Sequence, residues 1–388
     1  FEFNAYFCTN KNLHLSKIKV LQLIDGGFLG GGQANVLSIA RNLEKEKFEV
    51  YVAAAGEGSF ETKVLSSGIP FIPLVLPKLL RTRYLKILQK VYDAEKFDII
   101  HTHGGVAGFY GRTLKKHNPL LKCVHTIHGL HYINSHNIFR KSISKTIEQY
   151  LVQFTDVTIC ETYNDYLMAV RNRIAGRANT QVIPNAIDVS RFANLKKNVS
   201  LIASLGLSED DFICGNISRF DEQKNQKLIL QAAYFLVKKF PNMKFVFVGD
   251  GKYLHQMRDL ARESNIEKNV VFAGEQKNLT DYYSIFDIFI FPTLWEGMPF
   301  VLLEAMASRL PIICSAIPNL LEVIKPNYSA LTIDPLDMDN LFQKVSVLYQ
   351  DPVMREKIAQ NAMIESTQYD ESEIIPKIAA IYEEVMQT

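Results

Sequence analysis

Twice along this chain, short apolar runs ending in glycine, histidine or polar turns alternate with longer amphipathic stretches. That rhythm constrains the fold more than any composition figure. Strand–loop–helix repetition packs as a parallel sheet with helices on its faces. In the first half the strands are IKVLQLI (18–24), FEVYVAAAG (48–56), FDIIHTH (97–103), LKCVHTIHG (121–129) and DVTICET (156–162), and QANVLSIARNLEK (33–45) reads as a helix. QVIPNAIDVSRF (181–192) breaks the pattern with Pro and Asn. It restarts with FICGNIS (212–218), MKFVFVGDG (243–251), NVVFAG (269–274), DIFIFPT (287–293) and LPIICS (310–315), between helices such as 224–239 and 252–265.

The expected architecture is α/β, with two Rossmann-like, doubly wound parallel-sheet domains facing a central cleft. Residues 17–190 and 191–368 form the domains, hinged near 185–200, and 388 residues with 47% hydrophobic content supply two cores. Residues 1–16 read as an extension and 369–388 as a final helix.

Several classes fall away. No apolar run reaches the roughly 18–20 residues of a membrane span. FEFNAYFCTNKNLHLSK lacks the apolar core and cleavage site of a signal peptide. A net charge of +2 gives no argument for nucleic acid as a partner. Five cysteines (Cys8, Cys123, Cys160, Cys214, Cys314) form no CxxC pair and read as reduced thiols, which points to a reducing, cytoplasmic setting.

Ligands of open α/β sheets sit beyond the carboxyl ends of strands. There the apolar stretch LWEGMPFVLLEAMASRLP (294–311) keeps two acids, Glu296 in a loop and Glu304 inside a helix opened by Pro299. The backbone amides of Gly297, Met298, Phe300 and Val301 lie between them and suit an anion such as phosphate. Glu304 needs a partner, either a ribose diol or a structural Arg. Arg219 and Lys224, just past the strand 212–218, suit a diphosphate or are surface cations. Gly30, Gly31 and Gly32 follow the first strand, but Asn35 stands where a nicotinamide fingerprint needs its last glycine. His101, His103, His125, His128 and His131 cluster without a Cys or acid to complete a metal set, and Asp337-x-Asp339 reads as a helix start rather than a cation pair. The basic, apolar stretch 77–94 carries Leu80, Tyr84, Leu88 and Val91 at helical spacing. It either packs on its domain or lies on an anionic membrane.

The E-G-x-P-x-x-x-x-E-A pattern at 296–305 resembles the signature of retaining, nucleotide-sugar-dependent glycosyltransferases of family 4 (glycosyl transferases group 1), which have the GT-B fold. The resemblance spans roughly 18–388. It implies transfer of a sugar from a nucleotide diphosphate sugar to an acceptor hydroxyl, on a lipid-linked or saccharide acceptor, in cell-surface polysaccharide or glycolipid synthesis. Glu296 would contact the donor sugar and Glu304 the ribose. Arg219 and Lys224 match the family's R-x4-K motif, with Asn225 where glycine is usual. Gly31 and Gly32 match its N-terminal loop, and His128 its histidine facing the donor sugar. His103 and Gly104 would lie nearer the acceptor, and Gly274 and Glu275 would offer backbone to the base. Arg309 replaces the usual glycine at the helix end, so it must be left-handed or the helix must end differently. The implied chemistry needs no metal and no cofactor. Contact with the inner face of the membrane would run through 77–94. The alternatives are a GT-B epimerase acting on nucleotide sugars and a non-catalytic sugar-nucleotide-binding protein.

Overall fold

The computed structural model describes residues 17–78, 81–130 and 138–388. The extension 1–16 with Cys8, the residue Leu80 and His131 lie outside the described residues. The first sheet contains β1 (Ile18–Ile24), β2 (Phe48–Ala54), β3 (Phe71–Pro73), β4 (Ile99–His103), β5 (Lys122–Ile127), β6 (Val157–Cys160) and β7 (Thr180–Val182), in the order β3-β2-β1-β4-β5-β6-β7. The second contains β8 (Phe212–Ile217), β9 (Met243–Val248), β10 (Val270–Gly274), β11 (Ile288–Phe291), β12 (Ile312–Ser315) and β13 (Leu331–Ile333), in the order β10-β9-β8-β11-β12-β13. Every strand pair is parallel. This is the GT-B arrangement of two parallel-sheet α/β domains. Helices cover both faces, so the central strands read as unbroken apolar runs. The edge strands β3, β7 and β13 are three residues each, too short for a periodic signal, and β7 lies at the expected break.

Strand order reverses between β1 and β4 in one sheet and between β8 and β11 in the other. Ligand-binding crevices form beyond the carboxyl ends of the strands at such points.

The changeover between cores is abrupt. Ile183 and Ala186 pack in the first core, while Ile187 and Phe192 already pack in the second. The final helix, Glu371–Gln387, returns to the first sheet. Its Ile374, Ile378, Ile381 and Val385 recur at helical spacing and pack with Val20, Ile39 and Ile99.

A carboxylate fastens the domains together. Both oxygens of Glu322 accept the first amides of the helix Tyr163–Arg171, from Tyr163 at 2.6 Å and Asn164 at 2.7 Å. Helix N-termini expose such unpaired donors and favour negative charge. Beside them, the Asn319 side chain donates to Thr162 (3.1 Å) and Asp165 (3.0 Å). Burial pushes the Asp165 carboxyl up to about 6.

Candidate active site in the interdomain cleft

At the second switch point, β8 ends and Arg219 follows. Asp221 then caps the short turn Glu222–Lys224 by accepting the Lys224 amide at 3.2 Å. Asn225 comes next with φ +53°, which accounts for glycine being usual there. Asn enters the left-handed region more readily than most residues. Its amide also ties the turn to the carbonyls of Pro292 (3.2 Å) and Pro335 (2.7 Å).

The Lys224 ammonium pairs with Glu296, whose same oxygen accepts the Thr293 hydroxyl at 2.9 Å. The ammonium lies 5.2 Å over the Phe291 ring. Arg219 pairs with Asp221 and is 68% exposed, so its outer face is accessible. The β8 and β11 loops are laced together: Gln223 donates to the Trp295 carbonyl at 2.6 Å, and Thr293 to the Gln223 carbonyl at 2.9 Å.

The helix carrying Glu304 runs Phe300–Ala307, with Pro299 as its extended N-cap rather than within its first turn. Among the described residues the amides of Phe300 and Val301 have no partner. The Met298 amide is not free: it donates to Glu161 of the first domain at 3.3 Å. Gly297 lies so close to that domain that a Cβ would stand 3.0 Å from the Glu161 carboxylate and 3.1 Å from the Gly129 nitrogen.

Glu304 accepts the Tyr283 hydroxyl at 2.8 Å and forms no ion pair with an arginine among the described residues. Burial pushes its carboxyl up, while the Tyr283 hydrogen bond and the Arg191 charge pull it down. At the far end Arg309 is left-handed, φ +55°. Its amide bonds to the Met306 carbonyl (3.1 Å) and that of Leu310 to the Ala305 carbonyl (3.2 Å), the paired bonds of a Schellman end. The helix therefore ends as a glycine would end it.

The first switch point faces this one. Gly30 caps the helix Gly31–Asn42, so Gly31 and Gly32 form its first turn instead of preceding it. A Cβ on Gly31 would stand 3.7 Å from the Phe300 ring, and one on Gly32 3.6 Å from the His128 ring. His128 follows β5. Its Nδ1 lies 2.5 Å from Glu161 and its Nε2 3.0 Å from His103 Nδ1. Both ring nitrogens are thus partnered within the protein. Gly104, φ +75°, opens the helix after His103.

Gly274 ends β10 at φ +71°, its carbonyl accepting the Gly249 amide at 2.8 Å, and Glu275 beside it is exposed. His101 and His125 are buried, and burial holds both imidazoles well below the usual range, His101 at about 3. Asp337 caps a helix by accepting the Asn340 amide at 2.9 Å. In the helix Thr82–Glu95, Leu88 is buried and Tyr84, Val91 and Tyr92 pack on the core, so the apolar face is already covered.

Three residues of this site escaped the motif reading: Glu161, Gln22 and Asp25. Asp25 directly follows β1, and burial pushes its carboxyl up while the charges of Lys78 and His128 pull it down. An acid at the end of the first strand was a signal available in the sequence.

Two parallel sheets whose switch points face each other define the GT-B fold. The comparisons give the family. The model of "Glycosyl transferases group 1" matches residues 200–364 and that of "Glycosyltransferase Family 4" residues 29–191. The chain belongs to the family 4 glycosyltransferases and is a transferase.

It is 26% identical over 358 residues to the UDP-Gal:alpha-D-GlcNAc-diphosphoundecaprenol alpha-1,3-galactosyltransferase of Escherichia coli, covering 89% of this chain and 91% of that one. It is 28% identical over 276 residues to the alpha-monoglucosyldiacylglycerol synthase of Streptococcus pneumoniae, covering 66% and 60%. Among solved structures, Anabaena HepE in complex with UDP-glucose superposes with a TM-score of 0.83 at 19% identity, over 95% of this chain and all of the other. No helix among the described residues is long and apolar enough to cross a membrane.

Proposed function

We propose that the protein is a retaining glycosyltransferase that moves a sugar from a nucleotide diphosphate sugar to the hydroxyl of a lipid-linked or saccharide acceptor. The observation that carries this reading is the meeting of Lys224 and Glu296 with the unpartnered amides of Phe300 and Val301 at one switch point. As the glycosidic bond breaks, negative charge gathers on the departing diphosphate. Cations and a helix terminus already in place stabilise it without reorganisation. Lys224 and Arg219 are held by Glu296 and Asp221, so a diphosphate exchanges one anionic partner for another.

Glu304 commits one oxygen to Tyr283, and the other serves the ribose hydroxyls. Glu296 orients the donor sugar, with His128 beside it. The backbone at Gly274 and Glu275 meets the base. Gly31 and Gly32 border the diphosphate, and His103 and Gly104 lie toward the acceptor. Departure and attack on the same face of the sugar need no covalent nucleophile, and the two cations need no metal beside them.

The Escherichia coli relative is a UDP-Gal transferase and Anabaena HepE is found in complex with UDP-glucose, which supports a UDP-sugar donor. The acceptor of that relative, alpha-D-GlcNAc-diphosphoundecaprenol, also supports a diphosphoundecaprenol-linked acceptor. Contact with an anionic membrane would use the exposed Arg83, Lys86 and Lys90.

The test is transfer from a panel of UDP-sugars to polyprenyl-diphosphate-linked saccharides in excess chelator. The product's anomeric configuration is then read by NMR. We expect transfer with the donor's configuration kept. Inversion overturns the retaining assignment. Loss in chelator with rescue by Mn²⁺ moves the electrostatic role to a metal. Isomerised nucleotide sugar without transfer favours the epimerase.

A further inference from the structure

Beneath the first switch point the buried polar side chains form one hydrogen-bonded line. From His128, paired with Glu161, it runs through His103 (3.0 Å) and on from His103 Nε2 to Gln22 Oε1 (2.8 Å). It continues from Gln22 Nε2 to the Tyr382 hydroxyl (2.7 Å), to His101 Nδ1 (2.6 Å), and from His101 Nε2 to the Thr126 hydroxyl (2.7 Å). Tyr382 belongs to the C-terminal helix, and Gln22, His101 and Tyr382 have no exposed surface. Each contact must therefore pair a donor with an acceptor inside the protein.

The Gln22 amide sets the direction, because its two ends are unlike. With its NH₂ on Tyr382, the phenol hydrogen goes to His101. With its carbonyl on His103, His103 carries its proton on Nε2. Burial first, then neighbouring imidazoles, keep His103 neutral. Its Nδ1 is then an acceptor, and only an Nε2–H of His128 can satisfy it. The His128 Nδ1–Glu161 contact also needs a proton, since a bare nitrogen and a carboxylate would both be acceptors. The pair thus holds one proton more than a neutral imidazole beside a carboxylate. Turning the amide reverses every bond from Thr126 to His128 Nε2 and releases that proton. A carboxylate 4% exposed would then be left without a countercharge, which burial disfavours. The titratable groups around His128 are Glu161 and His103 in contact, with Asp25, His101 and His125 acting through charge.

We propose that Tyr382 and Gln22 are positioning residues for His128: by fixing the direction of this line they hold a proton on the His128–Glu161 contact, so the C-terminal helix sets the charge at the floor of the cleft. Its effect on transfer rests on the reading that His128 lies beside the donor.

The test uses the full chain labelled with ¹⁵N-histidine, with the His128 signals identified by difference from His128→Asn. The His128 Nε2 is expected to carry a proton. Tyr382→Phe frees the amide to turn and should move Nε2 into the unprotonated range. In that variant kcat should fall about tenfold, with the donor KM within about twofold. An unprotonated His128 Nε2 in the wild type overturns the proposal, and this arm needs no variant to fold. Unchanged His128 signals in a folded Tyr382→Phe protein overturn it too. Changed signals with unchanged transfer uphold the line and instead remove His128 from the donor site.

Discussion

The two switch points share a topology and differ in chemistry. At the β1–β4 point the polar groups Gln22, His101 and His103 lie inside the strands, at most 1% exposed, and are uncharged or nearly so. At the β8–β11 point the strands are apolar apart from Asn216, and the charges of Arg219, Lys224 and Glu296 wait in the loops that follow. Desolvation explains the division. A neutral histidine or amide survives between two helix layers if it is hydrogen-bonded, whereas an ammonium or carboxylate there would be prohibitive. Topology thus fixes where a ligand sits, and burial keeps charge out of the strands and in the loops that follow them.

If the second edge carries the electrostatic work, Lys224→Ala should produce the largest effect. Turnover should fall on the order of 10²-fold or more, at about 1.4 kcal/mol per tenfold. Circular dichroism should stay native, because Lys224 lies in a turn outside the sheet. Near-normal turnover in a folded variant breaks the comparison.

The next effect separates the two acids of that edge. If Glu304 grips ribose in ground and transition states alike, Glu304→Gln should weaken nucleotide diphosphate binding by about 1–3 kcal/mol in calorimetry. If Glu296 acts nearer the breaking bond, Glu296→Gln should lower kcat with nucleotide affinity nearly unchanged. Equal losses of affinity from both substitutions would mean the acids only hold the helix in place.

The two edges also differed in how far the sequence disclosed them. Charge in an otherwise apolar stretch stands out, so Glu296, Glu304, Arg219 and Lys224 were visible as candidates, their roles being what the family resemblance implies, and β8 and β11 fell close to their expected limits. The first edge hid its logic. His128 and Glu161 are 33 residues apart and Gln22 and Tyr382 are 360 apart, so no local pattern joins them. Gln22 inside IKVLQLI was a visible hint, a polar residue in a strand buried on both faces, as was Asp25 at that strand's end. Asn225 and Arg309 looked like departures. Both positions do require the left-handed backbone, and both residues adopt it.

A smaller effect concerns the seam joining the two halves. Burial raises the Asp165 carboxyl from its ordinary 3.8 to about 6, so the folded protein binds a proton there more tightly than the unfolded chain. Its contribution to stability is therefore full below about pH 4 and is lost as pH rises through about 6. Asp165→Asn cannot titrate. Relative to the parent, its Tm should rise between pH 4 and pH 6.5, by an amount corresponding to the order of 1–2 kcal/mol. Parallel Tm curves for the two proteins would show that Asn319 and Thr162 hold Asp165 as a carboxylate throughout.

The smallest effect tests whether the helix Phe300–Ala307 divides its labour by position, chemistry at its N-terminus and stability at its C-terminus. Arg309 stands at φ +55°, a conformation costing an L-residue about 1–2 kcal/mol. Glycine removes that strain but brings extra backbone freedom to the unfolded chain, worth about 0.5–1 kcal/mol. Arg309→Gly also breaks the exposed pair with Glu356, worth about 0.2–1 kcal/mol at such sites. The terms nearly cancel, so urea unfolding should show a gain below about 1 kcal/mol or no change. Neither kcat nor nucleotide affinity should move, since Arg309 pairs with Glu356 outside the cleft. A loss above about 1 kcal/mol would make the Glu356 pair the anchor of this helix end. A change in kcat would show that the far end of the helix bears on the amides of Phe300 and Val301, and the division by position would fail.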